Sequence, residues 1–329
     1  AGDCCWTRGK TAGGRFVSAQ PLQWQSGQWH QLCGLQAMDR LPHGLMLAGP
    51  AEIGKHQFAQ AFAQLLLCLT PVEGRACEGC KSCLLFRAQS HPDFLAVEPE
   101  AEGKAIKVDQ IRQLAEFATR TAAMGAHRVI LVSPAEAMNL NSANAFLKTL
   151  EEPGAGVVIL LVAHQPGLIL PTIRSRCRIL SFPLPDRAQV MRWLHDIEPD
   201  QARVAEVMTL SGGRPFRAKR LLETELKDQL ALFQDTLAGL EGQAVSPLDA
   251  AKVLQGLSHI DVVEWFQYRV YDLVKAGATG AGRHRLVLFK FLDRLTTARQ
   301  RLTSTANPNG QLLWEEVLMD WKSVIDLQP

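Results

Sequence analysis

The stretch from Gly44 to Leu67 limits this chain to few folds. Gly44-Leu-Met-Leu-Ala reads as a short buried strand that runs into a turn at Gly49. The loop Gly49-Pro-Ala-Glu-Ile-Gly54-Lys55-His56 then opens a helix with Phe58, Phe62, Leu65 and Leu66 at helical spacing. A phosphate-binding loop needs glycines that let the backbone curl, a lysine for the β- and γ-phosphates, and a serine or threonine for Mg²⁺. Gly49, Gly54 and Lys55 meet that pattern, but His56 stands in the hydroxyl position. An imidazole is a poor ligand for a hard, oxygen-seeking cation. The pattern predicts a nucleotide-binding α/β fold whose ATP chemistry has decayed. Whether Lys55 and the glycines still hold phosphate through charge and backbone amides, or the loop is empty, the sequence leaves open.

The following segments repeat the theme. Phe94 to Val97 reads as a strand and Val108 to Ala122 as a helix with Val108, Ile111, Leu114 and Phe117 on one face. Arg128-Val-Ile-Leu-Val132 is a continuous run typical of a buried parallel strand. A working ATPase of this kind carries Asp-Glu directly after that strand, to hold Mg²⁺ and activate water. Ser133 and Pro134 occupy those positions, and neither can do that work. Glu136, further along, reads as an exposed carboxylate at a helix start. Asn144-Ala-Phe-Leu-Lys-Thr-Leu-Glu-Glu-Pro153 reads as a helix stopped by proline, Val157 to Val162 as a further strand, and Arg174-Ser-Arg-Cys-Arg178 as an exposed stretch.

Cys68, Cys77, Cys80 and Cys83 have the spacing C-x8-C-x2-C-x2-C. Four thiolates suit tetrahedral Zn²⁺, and a site with all positions filled by protein is structural rather than catalytic. Unrelated buried thiols and a redox C-x-x-C are the competing readings, and the four-fold spacing favours metal. No aromatic and few basic residues interleave the cysteines, so direct reading of nucleic acid is not indicated. His91, before Pro92, could be a metal ligand or a base; a cap or turn role beside the proline is the stronger expectation.

At 329 residues the chain has room for two or three domains. The formal charge of +2 shows no nucleic-acid footprint in the total and leaves a local basic patch open. No apolar run approaches the roughly 18 residues of a membrane span, and the start lacks a secretory apolar core. The expectation is a cytoplasmic protein, in which cysteines bind metal or stay free. Residues 1–20, with Cys4 and Cys5, read as a mobile tail.

The strand ending at Val132, the Asn144–Pro153 segment and Ser175-Arg176-Cys177 resemble the clamp-loader subunits of bacterial DNA polymerase III, which are AAA+ proteins. The four-cysteine insertion is similar to that of the gamma/tau and delta-prime types. With His56 and Ser133-Pro134 in place of Thr and Asp-Glu, and Val162-Ala163-His164 without the threonine of gamma/tau, the chain resembles the delta-prime type more closely. The resemblance implies a parallel-sheet AAA+ core over 21–182 with the zinc module 68–83 inserted. It implies a small helical lid over 183–224 and an all-α collar over 225–329. It further implies a subunit without ATPase or polymerase activity of its own. Such a subunit sits in a hetero-pentamer with gamma/tau and delta and helps place the sliding clamp on primer-template DNA. Arg176 is then an arginine finger acting in trans on a neighbour's ATP, whereas Arg174 and Arg178 are left as surface residues.

In lids of this family an arginine can sense nucleotide. Arg214 and Arg217 are candidates, with a surface role the stronger expectation. From Leu226 onward the chain is helical. Apolar stripes run through Leu226, Leu230, Phe233, Leu237 and Leu240; through Val262, Trp265, Phe266 and Val270; through Leu286, Phe289, Leu292 and Leu295; and through Leu313, Val317 and Trp321. Two rival functions remain: an active ATPase of gamma/tau type, and a zinc-dependent nucleic-acid-binding protein carrying an ATPase remnant.

Overall fold

The computed structural model describes residues 20–101, 103–275, 283–303 and 309–326; the expected tail and its two cysteines lie outside them, apart from Gln20. The chain forms two compact units, Ala1–Gln189 and Val190–Pro329.

The first unit is an α/β layer structure. In chain order it contains α1 (Ser26–Ala37), β1 (Gly44–Ala48), α2 (Lys55–Leu67), α3 (Lys81–Arg87), β2 (Phe94–Val97), α4 (Val108–Thr119), β3 (Arg128–Val132), α5 (Leu140–Glu151), β4 (Val157–Ala163), α6 (Pro171–Arg174) and β5 (Arg178–Ser181). The sheet order is β2-β3-β4-β1-β5, and every pairing is parallel. The near-continuous apolar strands are explained by burial on both faces. On one face Leu45, Leu47, Val129, Leu131, Leu160 and Val162 meet Phe58 and Phe62 of α2 and Trp29 of α1. On the other, Met46, Ile130, Val132, Ile159 and Leu161 meet Ile111 and Leu114 of α4 and Phe146 and Leu150 of α5. Alternate residues of one strand therefore serve two different cores.

The loop after β1 is shaped by its two glycines. A Cβ on Gly49 would lie 2.0 Å from the Phe182 carbonyl oxygen, so the close approach of the β5 exit requires glycine. Gly54 has φ +92°, a conformation that side chains disfavour, and it starts α2 directly. Trp29 meets Phe58 edge-on at 5.4 Å, and Phe58 meets Phe182 at 4.9 Å, which fixes α2 against α1 and the sheet edge.

The second unit is helical: α7 (Arg187–His195) leads into it, followed by α8 (Gln201–Leu210), α9 (Pro215–Leu222), α10 (Thr224–Glu241), α11 (Pro247–Gln255), α12 (His259–Lys275), α13 (Arg283–Thr303) and α14 (Gly310–Ile325). One apolar cluster runs through it from Val190 to Val324. The stripes on α10, α12 and α14 face that cluster. The stripe on α13 does so only in its second half: Leu295 is buried and Leu292 packs against the cluster, whereas Leu286 and Phe289 are exposed and Leu288 and Phe291 are buried in their place. The residues 286–292 are apolar almost all round, so two registers compete. Steps of three alone lag the helix by about 60° each and drift off a face, whereas alternating steps of three and four stay on it. Among the described residues no helix is long and apolar enough to cross a membrane.

Candidate functional site

The C-terminal ends of β1, β3 and β4 bring the loop residues together, as expected for the ligand crevice of a parallel sheet. There the groups that should face a nucleotide face one another. Lys55, 2% exposed, donates through Nζ to the Gly49 carbonyl at 2.7 Å and also to the Pro50 carbonyl. Its ammonium is spent on the carbonyls of its own loop. Burial pushes Lys55 down to about 8, against the opposing pull of Glu136. His56 Nδ1 is hydrogen-bonded to Ser133 Oγ at 3.1 Å, and His56 Nε2 lies 3.6 Å from Glu98 Oε1.

Glu136 is not the exposed helix-start carboxylate that the local sequence predicts. It sits half-buried on a single 3-10 turn, where Oε1 accepts from the His164 amide at 2.9 Å and the Gln165 amide at 3.1 Å. Those donors belong to the exit of β4, which the parallel pairing of β3 and β4 brings alongside. Burial raises its pKa, and the backbone N–H groups act in the opposite direction. His164 is pushed down to about 4 by burial first, then by Lys55 and His56.

This set does not fit Mg²⁺ with a nucleotide. A metal of that kind wants oxygen ligands in an open octahedral arrangement. The two positions that should supply them are an imidazole and a serine already bonded to each other, and the phosphate-seeking lysine is turned inward.

The four cysteines do come together: their sulfurs all lie within 4.8 Å of one another. Cys68 caps the end of α2 and Cys80 caps the start of α3. Backbone amides donate to the sulfurs in sequence, Cys77 N–H to Cys68 Sγ at 3.2 Å, Cys80 N–H to Cys77 Sγ at 3.3 Å, and Cys83 N–H to Cys80 Sγ at 3.5 Å. Donors aimed at sulfur favour thiolates, the form a metal needs. Thr70 Oγ1 adds a bond to Cys77 Sγ at 3.1 Å, and chiefly through it Cys77 is pushed down to about 6. Cys83, by contrast, is raised by burial. Four soft donors with that hydrogen-bond shell fit tetrahedral Zn²⁺.

His91 takes the capping role expected of it beside Pro92. It is buried, Nδ1 accepts from the Asp93 amide at 3.0 Å, and Nε2 is 2.8 Å from Ser82 Oγ. Its proximity to α3 had no sequence signal, because Ser82 reaches it only through the packing of the cysteine module.

Arg176 is exposed on the turn after α6, with NH1 donating to the Thr172 carbonyl at 2.9 Å and NH2 paired to Glu151 Oε1 at 2.6 Å. Arg178 is exposed on β5, while Arg174 is partly buried, so the surface expectation holds for only one of the two. In the second unit Arg217 is likewise not a surface residue: it is 2% exposed and ion-paired to Glu264, with Asp261 at 3.7 Å. Arg214 and Arg299 also reach Glu264, at 2.9 and 3.5 Å, and Arg220 reaches Asp261 at 3.0 Å.

A parallel sheet ordered β2-β3-β4-β1-β5, with the glycine loop leaving β1 and covered by helices on both faces, defines the class: a P-loop AAA+ fold, here with a helical C-terminal region. The family model described as DNA polymerase III, delta subunit, matches residues 24–186. The DNA polymerase III subunit delta' of Pseudomonas aeruginosa is 36% identical over 92% of this chain and 97% of its own length. The subunits of the same name from Yersinia pestis and Escherichia coli are 29% and 28% identical, over 92% and 77% of this chain and 95% and 75% of their own lengths. The chain belongs to the DNA polymerase III delta-prime subunit family.

Proposed function

We propose that this chain is the non-hydrolysing ATPase-fold subunit of a bacterial clamp loader. It would stand beside a gamma/tau subunit, with delta, in a cytoplasmic hetero-pentamer that loads a sliding clamp on primer-template DNA. The observation that carries the reading is the self-satisfied loop: His56 bonded to Ser133 and Lys55 bonded to its own loop carbonyls. Residues 183–224 then serve as the lid and 225–329 as the collar. The resemblance to clamp-loader subunits supplies the partners.

In this reading Arg176 works on the neighbour's nucleotide. A guanidinium against a γ-phosphate stabilises the charge that develops during hydrolysis, worth on the order of 10³–10⁵ in rate. Its exposure supports the role, since a side chain buried in its own chain could not reach a neighbour. Cys68, Cys77, Cys80 and Cys83 would hold one Zn²⁺ that cross-links the end of α2 to α3; the metal supplies a structural tether and takes no part in chemistry.

The test is ATP turnover by the chain alone, and by the assembly reconstituted with gamma/tau, delta, clamp and primed DNA, using wild type and Arg176→Ala. The expected result is no turnover alone and a large loss with Arg176→Ala in the assembly. Robust turnover by the isolated chain would overturn the non-hydrolysing reading, and an assembly indifferent to Arg176 would remove the finger.

A further inference from the structure

We propose that His91, acting through Ser82, is a positioning residue for the four-cysteine metal site; the inference rests on the zinc reading above. Ser82 Oγ lies 2.6 Å from the Leu67 carbonyl, which can only accept, so the single hydroxyl proton is spent there. The contact of 2.8 Å between Ser82 Oγ and His91 Nε2 therefore requires the ring to donate. Independently, the Asp93 amide donates to His91 Nδ1 at 3.0 Å, which requires that nitrogen to accept. Both contacts select the same tautomer, neutral with the proton on Nε2. The result is one directed chain, from the Asp93 amide through the imidazole and the Ser82 hydroxyl to the Leu67 carbonyl.

Its two ends explain its use. Leu67 is the last residue of α2 and directly precedes Cys68; Ser82 lies on α3 between Cys80 and Cys83. Cys68 and Cys83 are the two buried ligands, whereas Cys77 and Cys80 are partly exposed. The relay thus clamps together the two elements that carry the buried sulfurs. Its base is anchored in turn: Asp93, fully buried, accepts from the Ala123 and Met124 amides at 2.8 and 2.9 Å and lies 3.8 Å from Arg128. Ser82 and His91 are 1% and 5% exposed, so water does not replace either bond freely. A site whose two buried ligands are preset needs less ordering to close around a metal, and it opens less often once closed.

The experiment measures release of zinc from the full-length, zinc-loaded chain to a chromophoric chelator in excess. The variants are His91→Ala, Ser82→Ala and His91→Gln, whose amide nitrogen can still donate to Ser82. Loss of outer hydrogen bonds typically costs about 10–100-fold in metal affinity. Release is expected to accelerate by that order in His91→Ala and Ser82→Ala, and His91→Gln should recover part of the loss. Should His91→Ala fail to fold, Ser82→Ala interrupts the same relay at its next member. Release rates within about twofold of wild type in Ser82→Ala overturn the positioning role while leaving the metal in place. Wild-type protein that carries no zinc overturns the metal reading and this inference with it.

Discussion

His56 Nδ1 lies 3.1 Å from Ser133 Oγ. In a working ATPase of this fold these two positions hold opposite sides of one Mg²⁺, a hydroxyl from the helix start and a carboxylate from the strand end. Here the two replacements satisfy each other, so each substitution gives the other a reason to stay. The fold survives the change because its sheet is held by apolar burial on both faces rather than by the metal.

The inward Lys55 predicts that the loop no longer captures nucleotide. A ligand at 100 times its Kd would stabilise by about 2.7 kcal/mol and raise the Tm of a domain this size by roughly 5–10 °C. Millimolar MgATP is expected to move the Tm of the wild-type chain by less than about 1 °C, with Lys55→Ala behaving alike. A rise of several degrees that disappears in Lys55→Ala would show that the lysine leaves its carbonyls for phosphate.

His164 predicts an acid-side loss of stability. In the unfolded chain it takes up a proton near its ordinary 6.5; in the folded chain, buried beside Lys55 and His56, only near about 4. Between those values the unfolded state holds the extra proton, so the contribution is full above 6.5 and falls away as the pH drops to 4. The upper bound is about 3 kcal/mol, and roughly half of that is expected because the ring is not fully enclosed. Melting curves of wild type and His164→Gln across that window check it: the variant should lose less on acidification, and parallel curves would contradict it.

Arg217 should matter for folding rather than for sensing nucleotide. Removing one partner of a buried ion pair costs about 3–5 kcal/mol because the other charge stays behind. Arg214 and Arg299 still face Glu264, so Arg217→Ala is expected near the low end, about 3 kcal/mol, and measurable by urea denaturation. A loss below about 1 kcal/mol would mean that the neighbouring arginines carry the pair unaided.

Residues whose partners are close in sequence were legible from the chain alone. The strands Phe94–Val97 and Arg128–Val132 match the expected bounds, and β4 runs one residue past its own, to Ala163. The cysteine cluster follows from its spacing, since loop ligands two residues apart have little freedom to separate. Glu136 departs from its expected exposure, and His91 adds a second contact to its expected capping role, for one shared reason. Their partners, the His164 amide in one case and Ser82 in the other, come from different elements that only tertiary packing brings near. Arg217 departs from the surface expectation because a charged residue on an amphipathic helix ordinarily faces water, and nothing local announces the carboxylates on α12. On α13 only Leu286 and Phe289 depart from the expected stripe, where residues 286–292 are apolar almost all round and periodicity carries little information.

The cysteine module offers a prediction that separates a metal site from four neighbouring thiols. Elemental analysis of the purified chain should find about one zinc per molecule. A metal tether across a loop of about fifteen residues removes unfolded-state freedom much as a cross-link does, worth roughly 3 kcal/mol, so a strong chelator should lower the Tm by several degrees. The order of chemical exposure then follows from the sulfurs' surroundings. Cys77 is the more exposed, and its Thr70 hydroxyl bond brings it to about 6, so it is largely thiolate at pH 7 once metal is gone. Cys83 is buried and held as the thiol. Iodoacetamide should leave the loaded module intact and, after chelation, label Cys77 well before Cys83, read by peptide mass spectrometry. Equal labelling with and without chelator would mean that no metal guards these sulfurs.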